Sequence, residues 1–309
     1  MKQFNNRTIK PLVSIIITTK NEEKNIGNCL ESILRNIGLK GYRNIEIIVV
    51  DNNSTDQTKE IARKCTKKVY NFGPERSAQR NFGAKKARGK YLLFLDADMI
   101  LSPNVISKCI EKFENSYLVG IYIPEIVLGN SFWSKVRRFE RSFYDGTVID
   151  CVRVVRKDIF EKAGGFDLSM TGPEDWDFDK KVREQGKVTV LTRYDFEKIN
   201  KKLNNLSIEQ LSNLTAQPVI FHNEAEFNLK KYLAKKLYYA KSFKNYIQKW
   251  GKNDPDIKKQ FGFWYRYFGV FLENGKWKRF LRHPILALGV YFLRVLVGGS
   301  YIFSKIFKK

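Results

Sequence analysis

The sequence predicts an α/β fold with a mostly parallel sheet, followed by a basic helical segment. Three observations lead to this prediction. Short apolar runs typical of buried strands alternate with amphipathic helical patterns through the first half of the chain. Acids and amides directly follow several of these runs, and in open sheets of this class ligands bind at the carboxyl ends of the strands. In the last quarter, lysines and aromatic residues surround one long apolar run.

The central strand is predicted at the apolar run that begins at Tyr91 and stops at Asp96 and Asp98. Side chains alternate along a strand, so two acids at i and i+2 can face one crevice only where the strand ends and turns. Two carboxylates are costly inside a sheet but can hold a divalent cation at its carboxyl edge. Taken alone, an Asp-x-Asp pair is also typical of a solvated turn.

The other predicted elements alternate regularly around this strand. Strands are predicted over residues 12–18, 45–50, 69–72 and 121–124, and helices over 26–37, from about 57, and over 77–87. Ser102 and Pro103 predict the N-cap and first residue of a further helix that ends near Phe113. The alternation predicts right-handed crossovers between parallel strands. Neither a Gly-x-Gly-x-x-Gly fingerprint nor a P-loop follows the first strand, so those nucleotide sites are excluded.

The composition sets further bounds. A chain of 309 residues with 43% hydrophobic residues can bury a full core and is not wholly disordered. Its four cysteines are scattered and it has only two histidines, which excludes a zinc cluster and a disulfide framework and favours a reducing cytoplasm. Residues 1–7 contain no apolar run, so we expect no signal peptide.

Four motifs resemble, in order and spacing, the family 2 glycosyltransferases of the GT-A fold over roughly residues 10–225. They are residues 14–22, residues 50–56, the pair Arg80-Asn81, and Asp96-Ala97-Asp98. The resemblance implies a Rossmann-like GT-A domain, a nucleotide-sugar donor, a divalent metal (Mn²⁺ or Mg²⁺) and inversion at the anomeric carbon. The Gln-x-x-Arg-Trp motif of the processive polysaccharide synthases has no match, so we expect transfer of a single sugar.

We expect the donor to bind at the strand ends. Asp51 can accept a hydrogen bond from the N3–H group of uracil, and Glu22 lies on the neighbouring loop. Arg80 offers a forked donor near the base or the diphosphate. Each of these residues alone is equally typical of a turn or a surface. The remaining donor-binding residues that the resemblance implies are Thr18, Lys20 and Asp96.

The metal is expected at the Asp-x-Asp motif. Asp98 can ligate a cation that bridges the diphosphate oxygens, and Asp96 can reach the cation through water or bind ribose hydroxyls. His222 follows a later β-rich run, and a single histidine at a strand end is commonly structural. In the resembled family, a histidine at this place often closes over the metal or the diphosphate, so both roles stay open.

Inverting transfer needs a base that removes the proton of the acceptor hydroxyl as it attacks. In the resembled family, the Glu-Asp pair that opens a helix supplies this base, and Asp175 is the matching residue here. Glu174 would lie beside it and bind the acceptor. Acids in the first turn of a helix are also explained by the helix dipole alone.

Residues 229–309 are predicted to form a region separate from a catalytic domain at residues 1–228. This region contains 19 Lys and Arg against 3 acids, which places +16 of the chain's net charge of +24 in its last quarter. Interleaved basic and aromatic residues are typical of a helix on an anionic membrane and also of a nucleic-acid surface. We expect an anchor and acceptor platform that stands apart from the catalytic machinery.

The apolar run at residues 284–304 has one charge, Arg294, and is just long enough to span a bilayer. The mid-segment arginine, the Gly298-Gly299 pair and basic residues at both ends favour an in-plane helix or a re-entrant hairpin over a true span. A packed helical subdomain is the third alternative.

Two classes of function therefore compete. The first is a metal-dependent glycosyltransferase, peripheral or monotopic at the cytoplasmic face of the cell membrane, which uses a UDP- or GDP-linked sugar and a lipid-linked acceptor. Within this class, synthesis of a polyprenyl-phosphate sugar rivals addition to a longer lipid-linked glycan. The second class is a basic nucleic-acid-binding protein. The apolar run between basic flanks favours the first class, since nucleic-acid binding does not need it.

Overall fold

A computed structural model of the chain describes residues 11–38, 44–203, 210, 217–223 and 227–307. The N-terminal residues in which no signal peptide is expected lie outside these ranges. The strands are β1 (Val13–Thr19), β2 (Ile45–Asp51), β3 (Val69–Asn71), β4 (Tyr91–Asp96), β5 (Met99–Leu101), β6 (Gly120–Tyr122), β7 (Glu125–Val127), β8 (Val154–Arg156), β9 (Val188–Val190) and β10 (Ile220–His222).

The helices surround these strands and then continue without strands to the C-terminal end of the described chain. They are α1 (Ile26–Gly38), α2 (Thr58–Arg63), α3 (Glu75–Lys86), α4 (Val105–Glu114), α5 (Phe132–Arg141), α6 (Lys157–Lys162), α7 (Glu174–Glu184), α8 (Phe196–Leu203), α9 (Leu229–Ala240), α10 (Phe243–Trp250), α11 (Pro255–Phe261), α12 (Val270–Leu272), α13 (Trp277–Arg282) and α14 (Pro284–Phe307). A π-helical segment, Tyr265–Gly269, leads into α12.

The main sheet has seven strands in the order β3-β2-β1-β4-β8-β6-β9. Strands β1 to β4 are parallel neighbours, with β1 between β2 and β4. Strand β8 is antiparallel to both β4 and β6. A second sheet contains β10 between β5 and β7. The predicted α/β fold with a mostly parallel sheet is confirmed, and its parallel half is the part predicted from apolar runs.

Every residue of β1 is buried, because the sheet carries helices on both faces. Side chains alternate along the strand, so Ile15 and Ile17 pack against α1 and α4. Ile16 packs on the other face with α3, α6 and α7. Gly83 allows α3 to lie close against β1, since a Cβ atom there would lie 2.4 Å from Cγ2 of Ile16.

One predicted helix start is wrong. Helix α4 begins at Val105, and its N-cap is Asn104 in the left-handed conformation (φ 66°) instead of Ser102. The Ser102 hydroxyl is occupied elsewhere: it donates to the carbonyl of Gln217 (2.8 Å) and accepts from the amide of Val219 (2.8 Å). It therefore ties the start of α4 to the chain entering β10.

The C-terminal helices pack on the α/β domain. In α14, Ala287, Val290 and Leu293 are buried in a cluster with Val136 and Phe139 of α5. The helix is continuous through its three glycines, including the Gly298-Gly299 pair, so the re-entrant hairpin is wrong for the described residues. By length and composition alone, residues 284–301 are the one described segment that could cross a membrane.

Arg294 of α14 points inward. Its Nε atom donates to Glu140 of α5 (3.1 Å), and its Nη2 atom donates to the hydroxyl of Tyr144 (3.1 Å). The opposite side of α14 is apolar and exposed, with exposed fractions of 50–69% at four side chains spaced by three and four residues. They are Ile285, Leu288, Phe292 and Val295. We call these four residues the outer stripe of α14.

The close contact of α3 with β1 gives a test of the fold. Gly83→Ala should lower the free energy of unfolding by about 1–3 kcal/mol, because the added methyl group overlaps Ile16 in a strand held on both sides. Urea denaturation measures the change. Gly27→Ala is the matched control, since its Cβ atom would meet Ile61 at an ordinary 3.8 Å and alanine favours the helix. An equal loss in both variants would contradict the prediction.

Candidate functional site

The strand register brings the predicted motifs to one edge of the sheet. Thr18 at the end of β1 is the partner of Asp96 in β4, and Thr19 is the partner of Asp51 in β2. The Thr18 hydroxyl donates to Oδ1 of Asp96 (2.8 Å). Because β1, β2 and β4 are parallel, their carboxyl ends form one polar edge, as the sequence predicts.

Arg80 joins this edge to the helix that carries the predicted base. Its Nη1 atom donates to Oδ1 of Asp175 (2.7 Å), and its Nη2 atom donates to Oδ1 of Asp96 (3.1 Å). The guanidinium lies over the ring of Phe166, and the side chain is 1% exposed. Its placement therefore suits positioning of the two acids. Its predicted role as a donor ligand stays a prediction.

A second arginine completes the cluster, and sequence analysis missed it. Nη2 of Arg76 donates to Oε1 of Glu174 (2.8 Å), and Nη1 lies 3.7 Å from Oδ2 of Asp96. Arg76 precedes Arg80 by four residues on α3, so both point to the same side. That spacing is the signal that could have revealed it. Glu174 is 1% exposed, so its placement gives no support to contact with an acceptor.

The charges of this cluster set its protonation. Burial raises the pKa of Asp175, but the guanidinium groups of Arg80, Arg153 and Arg76 lower it by more than that. The pKa of Asp175 therefore lies below its usual value. Asp96 behaves in the same way, and its pKa lies far below the usual range. Burial and the neighbouring Asp175 raise the pKa of Glu174, with Arg76 opposing. Asp175 is therefore a carboxylate at neutral pH.

Asp98, two residues beyond Asp96 in the chain, meets His222. Nε2 of His222 lies 3.1 Å from Oδ2 of Asp98, and strand β10 places the histidine opposite Met99 of β5. Nδ1 of His222 lies 3.8 Å from Oε2 of Glu125. Arg153 and Arg141 hold Glu125 at 2.5 and 3.1 Å. No sequence motif marks Glu125, so this support was not predictable.

The Asp98 site fits a divalent cation that takes part of its ligands from a substrate. Oδ1 of Asp98 is buried and has no hydrogen-bond partner among the described residues. Within the same residues, no group of three or more His, Cys, Asp or Glu side chains is arranged to hold a metal. Mg²⁺ and related ions commonly use one or two carboxylates together with phosphate oxygens and water. The oxygens of Asp96 already face arginines, so Asp98 is the better ligand.

The remaining donor residues lie around this edge. Asp51 is fully buried, and both its oxygens accept from Ser54. Oε2 of Glu22 accepts from Asn25 (2.7 Å). Burial, followed by the nearby acids, raises the pKa of Glu22 although this hydrogen bond opposes the shift. Lys20 is exposed at the tip of the loop. Their contacts with a nucleotide stay predictions.

The C-terminal helices also reach the site, which corrects the expectation that they stand apart. The hydroxyl of Tyr239 in α9 accepts from Nη2 of Arg76 (3.1 Å). Trp250 of α10 donates to Asp177 in α7 (2.9 Å). Because these contacts join segments far apart in the chain, sequence patterns did not reveal them.

Comparisons with known proteins show which proteins this chain resembles. Residues 14–166 match the sequence profile described as Glycosyl transferase family 2. The uncharacterized glycosyltransferase RT0329 of Rickettsia typhi is 29% identical over 195 residues, which cover 57% of this chain and 59% of that protein. The Escherichia coli protein WfaP is a UDP-Glc:alpha-D-GlcNAc-diphosphoundecaprenol beta-1,3-glucosyltransferase. It is 40% identical over 118 residues, or 36% of this chain and 45% of that protein. The alignments therefore span about half the length of these relatives.

A solved structure shares the whole fold. The mannosyltransferase PcManGT from Pyrobaculum calidifontis, in complex with GDP-Man and Mn²⁺, superposes with a TM-score of 0.56. The match covers 98% of this chain and 89% of that chain at 16% identity. This likeness confirms the predicted GT-A fold.

The Arg80 bridge gives a pH test. Arg80→Gln should raise the pKa of Asp175, because the nearest opposing charge is removed. In the wild type, the lowered pKa keeps Asp175 ionised into acid solution. Because the variant has a higher pKa at Asp175, the acid limb of its kcat profile should lie at higher pH. Arg80→Lys keeps a charge and should keep the acid limb lower, while kcat falls by ~10-fold or more because one ammonium cannot bridge both acids. The same acid limb in both variants would contradict this account of Asp175.

Proposed function

We propose that this chain, which belongs to glycosyl transferase family 2, transfers one sugar from a nucleotide-linked donor to a lipid-linked acceptor at a membrane. That it is a glycosyltransferase follows from the family. The main support for this more specific proposal is that Arg80 contacts both Asp96 and Asp175. These contacts hold the Asp-x-Asp motif and Asp175 in one cluster. The UDP-Glc donor of WfaP and the GDP-Man bound to PcManGT support a UDP- or GDP-linked sugar.

The donor is proposed to bind with its diphosphate at Asp98. Asp98 and His222 would hold a Mn²⁺ or Mg²⁺ ion, which neutralises the charge that develops on the leaving diphosphate. Thr18 and Arg80 fix the Asp96 carboxylate beside it, where it can meet ribose hydroxyls. We propose that the rest of the nucleotide is bound by Lys20, Glu22 and Asp51. Asp51 would accept a hydrogen bond from the base once one of its carboxylate oxygens is released by Ser54.

Asp175 is proposed as the catalytic base. In an inverting displacement, the acceptor oxygen bonds to the anomeric carbon as the bond to the nucleoside diphosphate breaks on the opposite face. The hydroxyl proton passes to Asp175, which is ionised and 24% exposed. Arg80 orients this carboxylate. Glu174, buried under Arg76, is proposed to keep that arginine in place instead of touching the acceptor.

The proposed metal role has a direct test. Purified protein is assayed for sugar release from a panel of UDP- and GDP-sugars with Mn²⁺, with Mg²⁺ or with EDTA. We expect turnover of one donor with metal and a loss of ~10²-fold or more in EDTA. Asp98→Asn should cause a similar loss, whereas Asp158→Asn, an exposed acid paired with Arg156, should not. Full activity in EDTA would remove the metal from the proposal, and no turnover of any donor would remove the function.

The acceptor is proposed to be presented at the cytoplasmic face of a membrane by residues 229–309, with residues 1–228 as the catalytic domain. Arg294 is paired with Glu140 inside the protein, so the polar centre of α14 turns away from lipid. The outer stripe of α14 remains for the bilayer. The exposed Trp264 and Phe268 lie beside it, with Phe268 6.4 Å from Tyr291 of α14. These contacts support an in-plane, monotopic helix over a spanning one.

The charge of the C-terminal region supports the same placement. Its excess of +16 would attract anionic lipid, at about 1 kcal/mol for each basic residue near the surface. A nucleic-acid surface would leave the outer stripe of α14 unexplained. All four cysteines are free, which is in keeping with a reducing compartment.

The double variant Ile285→Glu/Leu288→Glu tests this placement. Both side chains are exposed, so the fold should stay intact, while burial of the stripe in lipid is lost. Sedimentation with anionic vesicles should weaken by at least ~10-fold, and donor hydrolysis should not change. Tyr117→Glu, at a fully exposed aromatic residue between α4 and β6, is the control. Unchanged sedimentation of the double variant would support the packed-subdomain alternative.

A further inference from the structure

A basic and aromatic row leads from the surface of α9 to the proposed base. It begins at Lys235, which is exposed and whose Nζ atom lies 5.8 Å from the ring centroid of Tyr239. The Tyr239 hydroxyl meets Arg76 at 3.1 Å, and Arg76 meets Glu174 at 2.8 Å. Glu174 is the neighbour of Asp175. We call Lys235, Tyr239 and Arg76 the α9 row.

The α9 row consists of groups that the proposed metal site does not use. Asp98 pairs with His222, whereas Arg76 pairs with Glu174 and lies 3.7 Å from Asp96. The side chain of Arg76 is 30% exposed although it already faces two acids, so part of it is in contact with solvent.

We propose that the α9 row is an acceptor subsite that binds the phosphate or diphosphate through which the acceptor sugar is linked to its lipid. This inference rests on the proposed function. The acceptor hydroxyl has to reach Asp175, so the group on the acceptor's anomeric carbon lies about one sugar ring away. Arg76 connects Glu174 to Tyr239, and Lys235 lies one helical turn or about 6 Å from Tyr239, so the row extends from the neighbour of Asp175 over such a distance.

The position of α9 supports a lipid-linked ligand. Its lysines point to two sides, and Lys236 faces α5, where burial and then Arg137 lower its pKa to about 7. Lys236 also lies 5.4 Å from the ring of Tyr232, in the cluster that contains α14. Helix α9 therefore packs against the α14 cluster near its N-terminal end, through Tyr232, and reaches Arg76 near its C-terminal end, through Tyr239. An acceptor whose lipid lies in the bilayer would place its phosphate between them.

A binding experiment tests the proposal. The full chain is titrated in neutral detergent with EDTA, so that neither anionic lipid nor a metal-bound diphosphate at Asp98 contributes. The probes are farnesyl diphosphate, farnesol and inorganic diphosphate. We expect the wild-type protein to prefer farnesyl diphosphate, and Lys235→Gln to weaken that binding about 10-fold through loss of a charge-assisted contact. Tyr239→Phe, which keeps the ring, should weaken it several-fold, and neither variant should change farnesol binding.

Lys241→Gln is the matched control, because it removes the same charge from a lysine beside the same helix, stacked 5.5 Å from the neighbouring Tyr238. It should bind farnesyl diphosphate like the wild type. An equal loss in Lys241→Gln, or no preference for farnesyl diphosphate over farnesol, would overturn the proposal. Equal binding of inorganic diphosphate would mean a site for free diphosphate, and would also overturn it. The assay with the donor panel distinguishes the two proposals. If the protein turns over a donor but its binding of farnesyl diphosphate does not depend on Lys235, only the proposal for the α9 row is wrong.

Discussion

The arrangement of the site depends on one buried cation. The guanidinium of Arg80 is almost completely removed from water and lies between two carboxylates that come from different parts of the chain. Removing one partner from such a buried pair typically costs about 3–5 kcal/mol. The arginine therefore fixes the distance between the end of β4 and the start of α7. Without it, Asp96 and Asp175 would lie in a low-dielectric space with less positive charge to keep them ionised.

The parts of this structure that follow local rules could be predicted from the sequence. The apolar runs of β1, β2 and β4 have no other stable place than a covered parallel sheet, and the acids after them then meet at one edge. Helix starts were less predictable, because the Ser102 hydroxyl can cap a helix or bind a distant strand with equal chemistry. The choice depends on the chain entering β10, more than a hundred residues later.

The cluster around Arg76 shows the same limit more strongly. Tyr239 is 163 residues from Arg76 in sequence, and neither residue belongs to a motif. Hydrophobic packing brings them together: α9 is held by α14, and α14 by α5, through apolar contacts and the inward Arg294. A basic, aromatic segment that looks like an independent tail in the sequence is thus in contact with the cluster around Arg76.

The reversed direction of β8 has a consequence for how the chain can vary. Since β8 runs against β4, its first residues, and not its last, reach the polar edge, and the carbonyl of Arg153 accepts from the amide of Phe94 (2.9 Å). An arginine thereby joins an edge where the parallel strands contribute acids. The length of the connection leading into β8 is therefore constrained by charge placement. At the far edge, β8 passes directly into α6 at Lys157, whose amide donates to the carbonyl of Lys90 (2.9 Å), so that end is constrained by backbone pairing instead of by the charges of the site.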